Sequence, residues 1–175
     1  MPQADTNLYI GIDPGASGGI CSCWGDHYPS ADKLPPDEKG VWDLLKYHLR
    51  TAGYSTPLAV IEQVGGFIEG TPRTGSSMFK FGQSYGSLRM ALVAAGVRFE
   101  AIPPATWQRA VGVSPRKKGE PPGTFKNRLK ARAIELYPEL GVTLATCDAA
   151  LLMHYAKHHR YHDPFGNAHR EVEGV

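Results

Sequence analysis

Cysteine is scarce in this chain of 175 residues: Cys21, Cys23 and Cys147 are the three present, and no two of them form a C-x-x-C pair. An odd count without paired spacing argues against a disulfide framework and against a zinc site, and favours buried thiols in a reducing compartment. Long apolar runs are missing too. No stretch approaches the roughly 18 apolar residues of a membrane span, and Met1-Pro2-Gln3-Ala4-Asp5 has neither the basic nor the apolar region of a secretory signal. A cytoplasmic protein without a membrane partner is therefore expected. There is no internal repeat and no linker-like change of composition. At 42% hydrophobic residues the chain can bury a core without disulfides or a structural metal. One domain over residues 1–160 and a loose tail over 161–175 is the expected organisation.

Net charge is also low, at +2, but its distribution is uneven. Between Thr106 and Arg132 eight cations (Arg109, Arg116, Lys117, Lys118, Lys126, Arg128, Lys130 and Arg132) accompany one acid, Glu120. A solvated surface accounts for such a run. It also suits a polyanion, because each Lys or Arg near a phosphate releases condensed counterions.

Two acids stand where acids are rare. The apolar run Leu8-Tyr9-Ile10-Gly11-Ile12 ends in Asp13 just before Pro14-Gly15, and Leu58-Ala59-Val60-Ile61 ends in Glu62. Two buried strands closing on carboxylates suggest a divalent-metal site. An Asp before Pro-Gly can also cap a turn, whereas a Glu after Val-Ile has little reason to be there unless it is paired.

Turn residues and periodicity divide the rest. Residues 8–13 and 18–24 read as a hairpin around Pro14-Gly15-Ala16-Ser17. Val41, Leu44, Leu45, His48 and Leu49 form a helical stripe within 37–50. After the 58–62 strand come a Gly-rich loop over 65–75 and a long helix over 76–95, where Gly82 and Gly86 are expected to permit close packing. A strand over 97–102, a short helix opened by Pro103-Pro104 and a polar loop over 112–123 follow. Thr124 is expected to cap a helix with Phe125, Leu129, Ala133 and Leu136 on one face, ended by Pro138. A final helix spans 145–158, with Asp148 near its start.

Taken in order, Ile10-Gly11-Ile12-Asp13-Pro14-Gly15, Ile61-Glu62-Gln63-Val64, Phe81-Gly82-Gln83-Ser84-Tyr85-Gly86, Pro104-Ala105-Thr106-Trp107 with Val111-Gly112, the basic helix with Lys126, and Asp148-Ala149-Ala150-Leu151-Leu152 resemble the RuvC family of Holliday-junction resolvases, particularly its phage and organellar members. Each fragment is weak alone; their order and spacing carry the resemblance. It implies an α/β, ribonuclease-H-like fold with a mixed sheet of about five strands flanked by helices, and a homodimer built on the long helix, with Met78, Tyr85 or Met90 exposed for it. It also implies an endodeoxyribonuclease acting on branched DNA, above all four-way junctions.

Phosphodiester hydrolysis needs an activated water and neutralisation of charge on the phosphorus oxygens, which two Mg²⁺ ions about 4 Å apart can supply. Mg²⁺ prefers oxygen ligands, and Mn²⁺ is expected to substitute. Asp13 would bridge both ions, with Glu62 and Asp148 completing either side. Asp148 alone could equally be an acid favoured by a helix N-terminus. Lys126 aligns with a basic residue that the family places near the scissile phosphate, where it would stabilise transition-state charge. Arg73, Lys80, Arg109, Lys117 and Lys118 would contact backbone phosphates. Phe67 in the Gly-rich loop is the candidate wedge at the junction's exchange point, or else a core residue. Trp107 is expected to pack its helix on the sheet, and the histidines from His154 onward to lie on the surface.

One departure stands out. The family usually carries a further acid or a His three or four residues before Asp148, and here those positions are Ala145 and Leu144. That motivates a second reading, a junction-binding protein with weakened catalysis. Another ribonuclease-H-like nuclease, acting on hybrids or flaps, would use the same acids. An actin-like ATPase or sugar kinase would need two lobes and at least twice the length.

Overall fold

Strand β1 (Leu8–Asp13) is apolar at nearly every position because both of its faces are covered. Leu8, Ile10 and Ile12 point into one core, shared with Val41 and Leu45 of helix α1 (Glu38–Arg50) and with Leu88 and Leu92 of helix α2 (Gly75–Ala94). Tyr9 points into the other, shared with Trp107 of α3 (Pro104–Ala110), Leu129 and Ala133 of α4 (Pro122–Leu136) and the buried length of α5 (Cys147–His159). Strand β4 (Pro57–Glu62) divides in the same way, with Ala59 and Ile61 on the first side and Val60 on the second. The period of two along a strand thus sorts residues into two cores and produces three layers. This computed structural model describes residue 5 and residues 7–50, 57–63 and 75–159.

The sheet has five strands in the order β3-β2-β1-β4-β5, with β2 (Gly19–Trp24) and β3 (Ser30–Lys33) antiparallel and β4 and β5 (Arg98–Ile102) parallel to their neighbours. The mixed five-stranded sheet expected from the sequence is present, and β1 is its centre. Asp13 and Glu62 lie one residue beyond Ile12 and Ile61, which pair across the parallel ladder. Both therefore emerge side by side, on the face that α5 covers.

Helix α5 lies directly on β1. A Cβ on Gly11 would stand 2.1 Å from the Ala149 carbonyl oxygen and 2.2 Å from the Met153 nitrogen. Only glycine allows this approach. It fixes the height of α5 against β1 and so sets Asp148 opposite Asp13.

Four expectations need correction. Strand β3 was not foreseen: Ser30-Ala31-Asp32-Lys33 is short, polar and half exposed, as an edge strand can be. Helix α4 begins at Pro122 with Pro121 as its N-cap and no side-chain cap, so Thr124 does not cap it. The rigid Pro at the first turn starts the helix earlier. Gly82 and Gly86 are exposed, and a Cβ on either would meet nothing within 4 Å, so they do not serve packing among the described residues. His154 is half-buried rather than superficial, with its Nδ1 2.9 Å from the Tyr137 hydroxyl.

Two further features anchor the edges. His48 is buried on α1 with Nδ1 2.7 Å from Ser22 Oγ and Nε2 3.3 Å from Asp32 Oδ2, so it ties α1 to β2 and β3. Burial holds its pKa down against the pull of Asp32. The three thiols are free and buried, as expected. Around α2, the helical repeat separates three arcs: a core arc with Tyr85, Leu88 and Leu92, a polar arc with Lys80, Gln83, Ser84 and Ser87, and an exposed arc with Phe79, Gly82, Gly86, Met90 and Val93.

Candidate active site

Three distant segments deliver three carboxylates to one place. Asp13 closes β1, Glu62 closes β4 and Asp148 opens α5, and one ligand oxygen of each lies within 4.8 Å of the others. The ammonium of Lys126, from the second turn of α4, stands 2.6 Å from Asp148 Oδ2 and 3.6 Å from Asp13 Oδ2. Acids and lysine line a cleft together with the 14–17 turn, the loop after β3 and the polar arc of α2. The turn is held by glycines. Gly15 has φ +116°, and its missing Cβ makes room for Phe81 of α2.

The charge of this cluster is not balanced. Burial, then Asp148, pushes Glu62 up to about 7, although the Trp107 hydrogen bond works the other way. Asp13 is raised well above the ordinary carboxylate range, by burial first and by Asp148 next, despite Lys126. Burial disfavours the Lys126 ammonium, but Asp148 and Asp13 outweigh it and raise the pKa, so the lysine stays charged. Three acids against one cation leave a deficit that a divalent ion would cancel.

Two buried donors orient the acids, and neither was recognised in the sequence. Trp107, fully buried, donates its indole N–H to Glu62 Oε2 at 3.1 Å. Cys147 donates its S–H to Asp148 Oδ1 at 3.2 Å, and burial, with Asp148 beside it, pushes the thiol up to about 12. The sequence signal for Trp107 was its polar atom, since a buried indole N–H needs an acceptor. The expectation that Trp107 packs its helix inward is met, with this bond in addition.

Of the expected phosphate contacts, Lys80 lines the cleft. Arg109 is exposed in the last turn of α3, and Lys117 and Lys118 are exposed in the loop before α4; none of the three lines the cleft. Phe67 and Arg73 lie outside the described residues. No fourth carboxylate or histidine joins the triad among the described residues. Leu144 is 49% exposed, and the Ala145 carbonyl packs over Gly19.

The donor set fits a hard divalent ion, being all carboxylate oxygen, close-set and short of positive charge. Asp13, Glu62 and Asp148 are the residues that would hold it. A carboxyl whose folded pKa lies above its unfolded value contributes stability at low pH that disappears as pH rises through the folded pKa. Glu62, moved from 4.5 to about 7, therefore costs the metal-free protein on the order of 3 kcal/mol between about pH 4.5 and pH 7. A divalent ion held by the ionised acids would offset that loss. The rise in Tm on adding Mg²⁺ or Mn²⁺ is expected to be larger at pH 8 than at pH 5.5, by thermal unfolding. Equal rises at both would remove these acids as the ligands.

Neither a protein-family model nor a curated protein sequence matches the chain. Solved structures do, and they define the class first: the fold is ribonuclease-H-like. Two of the similar structures are of RuvC. Thermus thermophilus RuvC in complex with a Holliday junction substrate superposes with a TM-score of 0.53 at 17% identity, over 86% of this chain and 95% of that one. A second Thermus thermophilus RuvC structure gives 0.51 at 16%, over the same shares. The fold expected from the sequence is the one found.

Proposed function

We propose that the chain is a RuvC-like, divalent-metal-dependent endodeoxyribonuclease that resolves four-way DNA junctions by paired, symmetric nicks. The observation that carries this reading is the triad of Asp13, Glu62 and Asp148, which lines a cleft together with Lys126. It occurs in a fold shared with RuvC, which has been solved on a Holliday junction.

Asp13, Glu62 and Asp148 would hold the cations, two by this reading. Bound there, Mg²⁺ or Mn²⁺ would lower the pKa of a water and neutralise charge on the reacting phosphate. Trp107 and Cys147 each occupy one carboxylate oxygen and fix the rotamer of the acid they touch. With a cation held by Asp13 and Asp148, the Lys126 ammonium that pairs with both would be free to face the phosphate and stabilise the charge developing on it. The water oxygen joins phosphorus as the bond to the 3′ oxygen breaks, leaving a 5′-phosphate and a 3′-hydroxyl. Burial around the triad limits the competing solvent.

A junction has approximate two-fold symmetry, so two copies of the chain would present two equal sites to strands of like polarity. The exposed arc of α2 suits that contact. Phe79, Met90 and Val93 are 73%, 62% and 59% exposed, and bare Gly82 and Gly86 between them would let a second helix approach. Of the earlier candidates only Met90 lies on this arc; Met78 and Tyr85 are half-buried.

Purified protein with Mg²⁺ or Mn²⁺ is expected to nick a four-way junction at paired positions, giving religatable products, and to leave linear duplex intact. Equal cutting of RNA–DNA hybrids or flaps would replace this reading with another ribonuclease-H-like nuclease. The lack of a fourth carboxylate or histidine at the triad among the described residues favours one second reading, tight junction binding with weak catalysis. Binding without nicking under either metal would establish it instead.

A further inference from the structure

Lys33 ends β3, the strand the sequence did not reveal, and the sheet register gives it a particular place. It pairs with Gly19, and Gly19 pairs with Asp13, so Lys33, Gly19 and Asp13 form one row across three strands. Residues in one row share a face, so Lys33 emerges on the face of Asp13, two strand spacings or about 10 Å away. The residue between them carries no side chain. Ala145 closes over that gap with its backbone carbonyl, 2.7 Å from where a Gly19 Cβ would be.

Lys33 also lines the same cleft as the triad. Three lysines line that cleft, and they are not equivalent. Lys126 is engaged by Asp13 and Asp148. Neither Lys33 nor Lys80 forms an ion pair with a described carboxylate. The nearby acids are otherwise occupied. Asp32 faces His48, Asp37 Oδ1 accepts the Gly40 N–H at 2.9 Å, and Glu38 accepts from Gln83 at 3.2 Å. The polar arc of α2, with Lys80, Gln83, Ser84 and Ser87, lines the same cleft, as do Asp37 and Glu38. The cleft thus brings the triad, two lysines without an ion pair and a row of hydrogen-bonding side chains together. Such a channel suits an extended sugar-phosphate backbone better than an apolar or neutral ligand.

Resting on the nuclease reading above, we propose that Lys33, assisted by Lys80, grips a phosphate that flanks the scissile one on the cleaved strand, as a substrate-positioning residue. The triad acts on one phosphate, and Lys33 holds the strand in register with it.

The test pairs protein and substrate changes. Lys33→Ala and Lys33→Arg are compared with wild type on junctions carrying a single uncharged methylphosphonate at each phosphate near the cut. Lys33→Ala is expected to lower kcat/KM by about tenfold, the scale of one charged hydrogen bond, and Lys33→Arg to restore most of it. At one flanking position the methylphosphonate should cost wild type the same factor and cost Lys33→Ala nothing further. Junction binding without divalent ion gives a second readout: the salt slope of log affinity should fall by about one for Lys33→Ala. An unchanged slope, or a Lys33→Ala loss that adds to every methylphosphonate loss, overturns the proposal. If wild type binds junctions but never nicks them, the nuclease reading fails while the slope still decides the role of Lys33.

Discussion

Asp13→Asn is expected to bind four-way junctions as tightly as the unaltered protein and to cut them at least about 10³-fold more slowly, since several kcal/mol of charge stabilisation pass through the metal site. Asp13 sits on the central strand, beside Glu62 on one side and Lys126 on the other. With no fourth carboxylate at the triad among the described residues, Asp13 would carry a larger share of metal ligation than in a four-acid site. Its removal should have an opposite sign in stability. The metal-free protein spends free energy to keep this buried carboxyl beside two others, so the amide should raise Tm at pH 8 in chelator while abolishing the rise caused by Mg²⁺. Lost activity with a raised metal-free Tm is a site effect, and lost activity with a collapsed Tm would be unfolding. Nicking at the unaltered rate would sink the proposed mechanism.

Gly11→Ala should have the largest effect on stability, about 4 kcal/mol or more against a total of roughly 5–15 for a domain. The added methyl would overlap backbone atoms of Ala149 and Met153, not the end of a side chain that could turn away. Helix α5 must lift off β1, opening the layer that contains Trp107, Leu129 and Leu152. Urea unfolding would measure the loss, and insolubility on expression is the extreme form of the same result. Gly123→Ala in α4 is the contrasting control, because a Cβ there meets nothing within 4 Å and alanine favours a helix over glycine by ~1 kcal/mol. A Gly11→Ala protein as stable as the unaltered chain would mean that β1 and α5 do not meet as described.

What could be read from the residues was local in kind. An apolar run that stops at an acid identifies β1, β4 and two thirds of the triad, and the spacing of Val41, Leu45 and His48 identifies α1 and its buried side. The β3 strand escaped because Ser-Ala-Asp-Lys has no alternation and takes its place only through pairing with β2. The start of α4 was misread because Thr124 is a good cap in isolation, whereas Pro121-Pro122 already set the first turn. The orientation of the acids was invisible for a different reason. Trp107 meets Glu62 across 45 residues, and Lys126 meets Asp148 across 22; no short-range pattern records such partnerships. Gly11 stood in the sequence only as one member of an apolar run, and it is the point where a helix touches the sheet.

The order in which the triad is written along the chain has a consequence for biosynthesis. Asp13 and Glu62 are made early, but Asp148 and the helix that presses on Gly11 come after the whole sheet has been translated. A nascent chain still short of residue 148 exposes two like-charged carboxyls and lacks the third, together with the layer that buries them. The three-acid cluster is therefore completed last during synthesis, and a truncated product holds two of its acids without the third.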